Sequence, residues 1–219
     1  MNGGINDWQS QVAELKKYGI DEVSVFPTAL QESGRYDLYA SLMGAGVKKI
    51  PLFHLKTEMK NEEIDFLLKS FDIETFNLHS TNKWPLLHDY TRWKSNIFLE
   101  NGKEVPHSKE LEEFAGLCVD FSHWHNEFLL ENGDYCAKMT DNLERFKTGV
   151  THLSPIKKEL LLNPFVNIKQ YDSHVLGDLS ELDYLVGYKK YLAPINAIEL
   201  TNSIAEQLRV KEYLEKMLD

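Results

Sequence analysis

Seven short hydrophobic runs in this chain of 219 residues each end on a histidine, aspartate or glutamate. The runs end on His54, His79, Glu100, Asp120, His152, Asp172 and Glu199, and His123 and His174 follow two of them within three residues. If the runs are neighbouring parallel strands, their last side chains meet at one edge of the sheet. Imidazoles and carboxylates are costly to bury unless something pairs them, so the pattern predicts a metal site at that edge.

Predicted strands alternate with predicted helices or loops along the chain. The predicted strands span residues 22–26, 47–54, 75–79, 96–100, 117–120, 150–153, 169–172 and 197–200. This alternation favours a parallel sheet with right-handed crossovers, and eight units close most naturally into a (β/α)8 barrel. We therefore predict an α/β fold, a compact TIM barrel in a single domain over residues 1–219, shorter than the usual ~250 residues.

An open doubly wound sheet is the main alternative fold. That fold would normally carry a glycine-rich phosphate-binding turn after its first strand. The residues at this position are Phe26-Pro27-Thr28-Ala29, which include no glycine. The barrel is therefore the preferred prediction.

The formal net charge of −10 argues against a broad surface for binding polyanions, because nucleic-acid-binding proteins usually carry a basic face. No apolar run approaches the ~20 residues of a membrane span, and the N-terminus lacks the pattern of a secretory signal. Two cysteines, Cys118 and Cys136, are too few for a disulfide framework. We expect a cytoplasmic protein that binds no membrane, and no protein partner is evident.

The spacing of the candidate ligands suits metal binding. Asp172 and His174 are two residues apart and face the same side of an extended strand, while Asp120 and His123 span a strand end and the following turn. Imidazole nitrogen and carboxylate oxygen are ligands that zinc, manganese and iron accept. Nine donors exceed the need of one ion, so we predict two or three divalent ions with a bridging carboxylate. Such sites suit hydrolysis of phosphate esters.

The order of the ligands, His, His, Glu, Asp-x-x-His, His, Asp-x-His, Glu, resembles the endonuclease IV group (AP endonuclease family 2) of the xylose isomerase-like TIM barrels. The resemblance runs from about Val47 to Leu200. Three local segments are also similar to the family's motifs: Leu99-Glu100-Asn101, His152-Leu153-Ser154 and the segment from Asp172 to Gly177. Other segments depart from the family, since Leu55-Lys56-Thr57 lacks the wedge that its members push into DNA.

The resemblance implies a role for each ligand. His54, His79 and Glu100 would hold one ion, most fittingly Zn²⁺, with Mn²⁺ as the alternative. Glu100 would bridge to a second ion. The remaining ligands of that second ion would be Asp120, His152 and Glu199, and a third ion would be held by His123, Asp172 and His174. The implied substrate is abasic DNA or a small phosphorylated molecule.

Two other functions remain open. A sugar or sugar-phosphate isomerase or epimerase of the same superfamily needs only Glu100, Asp120, His152 and Glu199 around one ion. Glu100 and Glu199 would then be the catalytic acid–base pair for a proton shift beside a carbonyl. A barrel that has lost catalysis and binds only a metal or a partner is the third possibility.

Four residues near the ligand-bearing strands are candidates for binding the substrate. Trp84 and Trp124 follow such strands and could stack on a base or a sugar ring. Packing of helices against the barrel is an equally good interpretation of both tryptophans. Lys56 could meet a phosphate, and Lys157 could partly replace a lysine that the resembling family carries after the sixth strand.

Overall fold

The structure is a computed structural model that describes residues 8–163 and 168–219, so residues 1–7 and 164–167 lie outside the description. The strands are β1 (Lys49–His54), β2 (Asp72–His79), β3 (Ile97–Glu100), β4 (Gly116–Asp120), β5 (Thr148–Leu153), β6 (Ile156–Asn163), β7 (Ile168–Asp172) and β8 (Ile195–Ile198). The α-helices are α1 (Trp8–Tyr18), α2 (Glu32–Ala45), α3 (Asn61–Ser70), α4 (Ser108–Leu111), α5 (Phe121–Leu129), α6 (Gly133–Arg145) and α7 (Ile204–Leu218). Two 3-10 helices cover Thr91–Asn96 and Leu179–Tyr191.

Six strands form one parallel sheet in the order β1-β2-β3-β4-β5-β8. The extended segment 22–26 lies along the other edge of β1, where Val25 donates its N–H to Leu52 and accepts from His54. Strands β1 and β8 also approach each other, so the sheet curls into a nearly closed barrel. The predicted TIM-barrel class is confirmed. In the described part of the chain, no helix has the length and apolar character needed to cross a membrane.

The seventh predicted strand differs from the prediction. Residues 168–172 form β7, which pairs antiparallel with β6 in a separate two-stranded sheet, and β5 pairs directly with β8. Connection length explains the difference. A parallel crossover needs about a dozen residues or more. Only Ser154 and Pro155 separate β5 from β6, and four residues separate β6 from β7.

The barrel interior is stacked in layers, as in other barrels of this class. Its apolar layer consists of Phe26, Leu52, Phe98, Cys118, Val150 and Ala197. Five of the predicted ligands stand two residues further along the same strands: His54, Glu100, Asp120, His152 and Glu199. Because side chains two apart share a face of a strand, the ligands point inward above this layer.

Gly149 allows the layer to fill the barrel. A Cβ built at this position would lie 2.1 Å from the ring of Phe98, which is too close for any side chain. The ring therefore occupies space that any other residue at position 149 would take. The apolar layer seals the barrel below the ligands and keeps them out of bulk water from that side.

Candidate metal centre

The innermost candidate group is formed by Glu100, Asp120, His152 and Glu199, at the carboxyl ends of β3, β4, β5 and β8. Each offers one ligand atom, and these atoms all lie within 4.8 Å of one another. His152 Nδ1 is 3.2 Å from Glu199 Oε2 and 3.5 Å from Glu100 Oε1. None of the four is more than 6% exposed. The ladder explains the closeness, because Asp120 and His152 are register partners on adjacent strands.

Two atoms in this group lack hydrogen-bond partners although they are buried. They are Asp120 Oδ2 and His152 Nδ1, which lie 3.8 Å apart. A buried polar atom without a partner is costly, so in most proteins a group of this kind is explained by a ligand, water or ion. Carboxylate oxygen and imidazole nitrogen are the donors that bind divalent cations. The residues therefore fit a metal ion, whose identity they do not specify.

A second candidate group shares Glu100 and adds His54 and His79. His54 Nε2 lies 2.9 Å from Glu100 Oε2, and the two imidazole rings are 4.7 Å apart between centroids. His54 Nδ1 lies 2.8 Å from the carbonyl oxygen of Leu55, to which it can donate. Such a bond leaves Nε2 as the metal-facing nitrogen, which is the usual arrangement of a ligating histidine. Other candidate ligands therefore lie near both oxygens of Glu100, His54 near one and His152 near the other.

Asn77 was missed by the sequence prediction. Its Nδ2 donates a 2.6 Å hydrogen bond to Glu100 Oε2, and the side chain is fully buried. Asn77 is two residues before His79 in β2, so it shares the inward face of that strand. This spacing was the signal available in the sequence. The bond restricts the orientation of the Glu100 carboxylate.

The three remaining predicted ligands lie at the rim in a looser arrangement. His123 Nδ1 is 2.9 Å from Asp172 Oδ2, and His123 Nε2 is 3.8 Å from Asp120 Oδ2. His174 Nδ1 is 4.0 Å from Glu199 Oε1. Among the described residues, the groups with ligand atoms within 4.8 Å of one another do not include His123, Asp172 or His174.

The Asp120 carboxylate is held in place by the start of α5. Its Oδ1 accepts hydrogen bonds from the N–H groups of Ser122 and His123 and from the Ser122 hydroxyl. Burial alone would raise the pKa of Asp120, but His123 and His152 outweigh it and hold the pKa below the usual range. A fixed, ionised carboxylate with one free oxygen is ready to bind a cation.

The histidines and carboxylates shift one another in opposite directions. Burial would raise the pKa of Glu100, but His152, His54 and His79 hold it well below its usual range. Burial would lower the pKa of His123, but Asp120 and Asp172 raise it to about 10. Without a metal, the protonated imidazole of His123 therefore balances nearby buried carboxylates, whereas burial lowers the pKa of His79 to about 4. A bound cation would replace such balancing protons.

The four candidate substrate-binding residues have different surroundings. Trp84 is 55% exposed, whereas Trp124 is buried and its ring contacts Tyr188 and Tyr191. The placement of Trp124 favours helix packing. Both lysines are paired: Lys56 Nζ lies 2.8 Å from Glu58, and Lys157 Nζ lies 2.7 Å from Glu181.

No protein-family model and no curated protein matches this sequence. A solved structure, that of a xylose isomerase domain protein from Planctomyces limnophilus, matches with 13% sequence identity and a TM-score of 0.49. The match covers 94% of this chain and 92% of that chain. A likeness of this size says nothing about the function of this chain.

Proposed function

We propose that this chain is a divalent-metal-dependent enzyme of the xylose isomerase-like type that hydrolyses a phosphoester or phosphodiester at a multinuclear site. The observation that carries the proposal is the position of Glu100. One of its oxygens lies 2.9 Å from His54 Nε2 and the other lies 3.5 Å from His152 Nδ1. A carboxylate placed between two sets of ligands is the bridge that a two-metal site needs, and zinc suits this donor set.

Each group of residues has a distinct task in this proposal. His54 and His79 would hold one ion and Asp120, His152 and Glu199 another, with Glu100 bridging them. Ions bound there would supply Lewis acidity towards a phosphoryl oxygen and charge compensation for the leaving group. Ser122 and Asn77 keep two of these carboxylates in fixed orientations. His123, 2.9 Å from Asp172, would hold a proton at the rim or, together with Asp172 and His174, a third ion.

A sugar or sugar-phosphate isomerase or epimerase is the second candidate function. The pairing of Lys56 with Glu58 and of Lys157 with Glu181 favours its form that acts on an unphosphorylated sugar, because neither lysine is left free to meet a phosphate. In that reaction Glu100 and Glu199, on the same side of the His152 ring, would move the proton beside a carbonyl. One ion in the inner group would suffice.

Metal counting combined with one variant separates the two functions. Native mass spectrometry of zinc-loaded protein should find two or three ions, and the same protein should cleave an abasic-site oligonucleotide or a model phosphodiester. His54→Asn should remove one ion and most of that cleavage. His107→Asn, a change at an exposed histidine, is the matched control and should alter neither.

Other outcomes point away from hydrolysis. A single ion, with turnover of a ketose panel that His54→Asn leaves intact, would support the isomerase and contradict the hydrolase. Bound metal without turnover of either substrate class would contradict both enzymes and support a barrel that only binds metal.

A further inference from the structure

Cys118 lies directly beneath the inner candidate group. It precedes Asp120 by two residues in β4, so its side chain points into the barrel one layer below the carboxylate. Its Sγ is 3.3 Å from His152 Nε2, and both residues are completely buried. The proposed reaction gives this thiol no role, although its sulfur lies within 4.8 Å of the ligand atoms that Glu100 and His152 offer.

The two nitrogens of His152 face different surroundings. Nδ1 faces the carboxylates of Glu100, Asp120 and Glu199 and has no hydrogen-bond partner, while Nε2 faces the thiol of Cys118. Rotating the ring by 180° about its Cβ–Cγ bond would keep its shape but put carbon atoms where the nitrogens now stand. Phe26, whose ring meets His152 edge-on at 5.1 Å, offers no hydrogen-bonding atom to either nitrogen. A hydrogen-bonding partner at Nε2 distinguishes the two orientations.

We propose that Cys118 is a positioning residue whose sulfur accepts a hydrogen bond from Nε2–H of His152 and so presents the Nδ1 lone pair to the bound cation. The inference rests on the proposed metal centre. Ligating histidines usually donate their second N–H to a carboxylate or a carbonyl oxygen. Sulfur is a weaker acceptor than either, but Cys118 belongs to the apolar layer, where a charged partner would be costly to bury.

Zinc affinity, measured by competition with a chelator, tests the role without any activity assay. Cys118→Val removes the acceptor and is somewhat larger than cysteine, and we expect it to weaken the tightest site by ~10–100-fold, as loss of other outer partners does. Cys118→Ser keeps an acceptor and should bind zinc nearly as tightly as the unaltered chain. Cys136→Val, at the half-buried cysteine of α6, is the matched control and should change nothing. Thermal unfolding of the metal-free variants checks that each one folds.

A second measurement reads the histidine itself. In ¹⁵N NMR of the zinc-loaded protein, His152 should bind through Nδ1 and carry its proton on Nε2, and that proton signal should move in Cys118→Val but persist in Cys118→Ser. Unchanged zinc affinity in Cys118→Val would overturn the proposal. Equal losses in both variants would also overturn it, because they would indicate packing alone.

Two further results would contradict the proposal in distinguishable ways. A sulfur-to-metal charge-transfer band in the cobalt-loaded chain that Cys118→Ser abolishes would make Cys118 a ligand instead of a positioning residue. If neither the unaltered chain nor any variant binds zinc, the result contradicts the proposed metal centre and, with it, the proposed role of Cys118.

Discussion

The candidate ligands of the inner group and those supplied by the β6–β7 hairpin and its neighbour α5 differ in how deeply they are buried. Glu100, Asp120 and His152 end register-paired strands and are at most 3% exposed. His123 and His174, by contrast, have side chains that are 20% and 32% exposed. Adjacent parallel strands place their ends by backbone hydrogen bonds, whereas a rim residue is placed by its loop. We therefore expect the inner group to bind a metal ion more tightly than the outer residues do.

The largest effect should follow from removing the residue that joins the two inner groups. Glu100→Gln keeps the shape of the side chain but removes its charge and one oxygen ligand. We expect zinc stoichiometry to fall and the rate constant for hydrolysis to drop by about 10³-fold or more, since bound metals contribute several kcal/mol to such reactions. Asp172→Asn at the rim is the comparison variant and should reduce the rate far less. Equal losses in the two variants would remove the distinction between inner and outer ligands.

Stability should show the same contrast between the barrel and the hairpin. Phe98 fills the barrel interior below the ligands, so Phe98→Ala should lower the free energy of unfolding by ~3–5 kcal/mol. Leu162 on β6 is 58% exposed, and Leu162→Ser should change that free energy by less than ~0.5 kcal/mol. Urea denaturation of the metal-free variants gives both values. A large loss of unfolding free energy in Leu162→Ser would show that Leu162 is buried against another surface in solution.

The smallest predicted effect is a dependence of stability on pH in the metal-free chain. The pKa of His123 is about 10 in the fold, above the ~6.5 of an unfolded histidine. A histidine whose pKa is raised in the fold stabilises the folded state fully at pH values below its unfolded pKa. This stabilisation is lost as the pH rises through its folded pKa. The melting temperature should therefore fall between about pH 7 and pH 10. Asp172→Asn should flatten this slope, and a melting temperature that rises with pH would contradict the account.

The sequence predicted the parallel core of the fold well, because short hydrophobic runs with β-prone residues are bounded by turn signals. It brought together the residues of the inner candidate group for the same reason, since each is the last residue of such a run, and their role as ligands stays a prediction. It did not predict that residues 168–172 would pair antiparallel with β6. That outcome depends on Ile156–Asn163 forming a strand directly after Pro155, and the period of an apolar run does not show the direction in which it pairs.

Other features of the site depend on contacts between distant parts of the chain. Asn77 binds Glu100 and Cys118 contacts His152 only because the ladder aligns their strands. Neither residue type, taken alone in a sequence, indicates such a role. The packing of Trp124 on Tyr188 and Tyr191 likewise joins residues more than sixty positions apart. Local patterns therefore indicate the candidate ligands, while the residues that contact them are found only in the fold.

Anomalous X-ray diffraction from crystals of the zinc-loaded chain tests the central claim most directly. We predict one peak among Glu100, Asp120, His152 and Glu199 and a second among His54, His79 and Glu100, with Glu100 contacting both ions. A zinc-loaded crystal without a peak at either position would contradict the account.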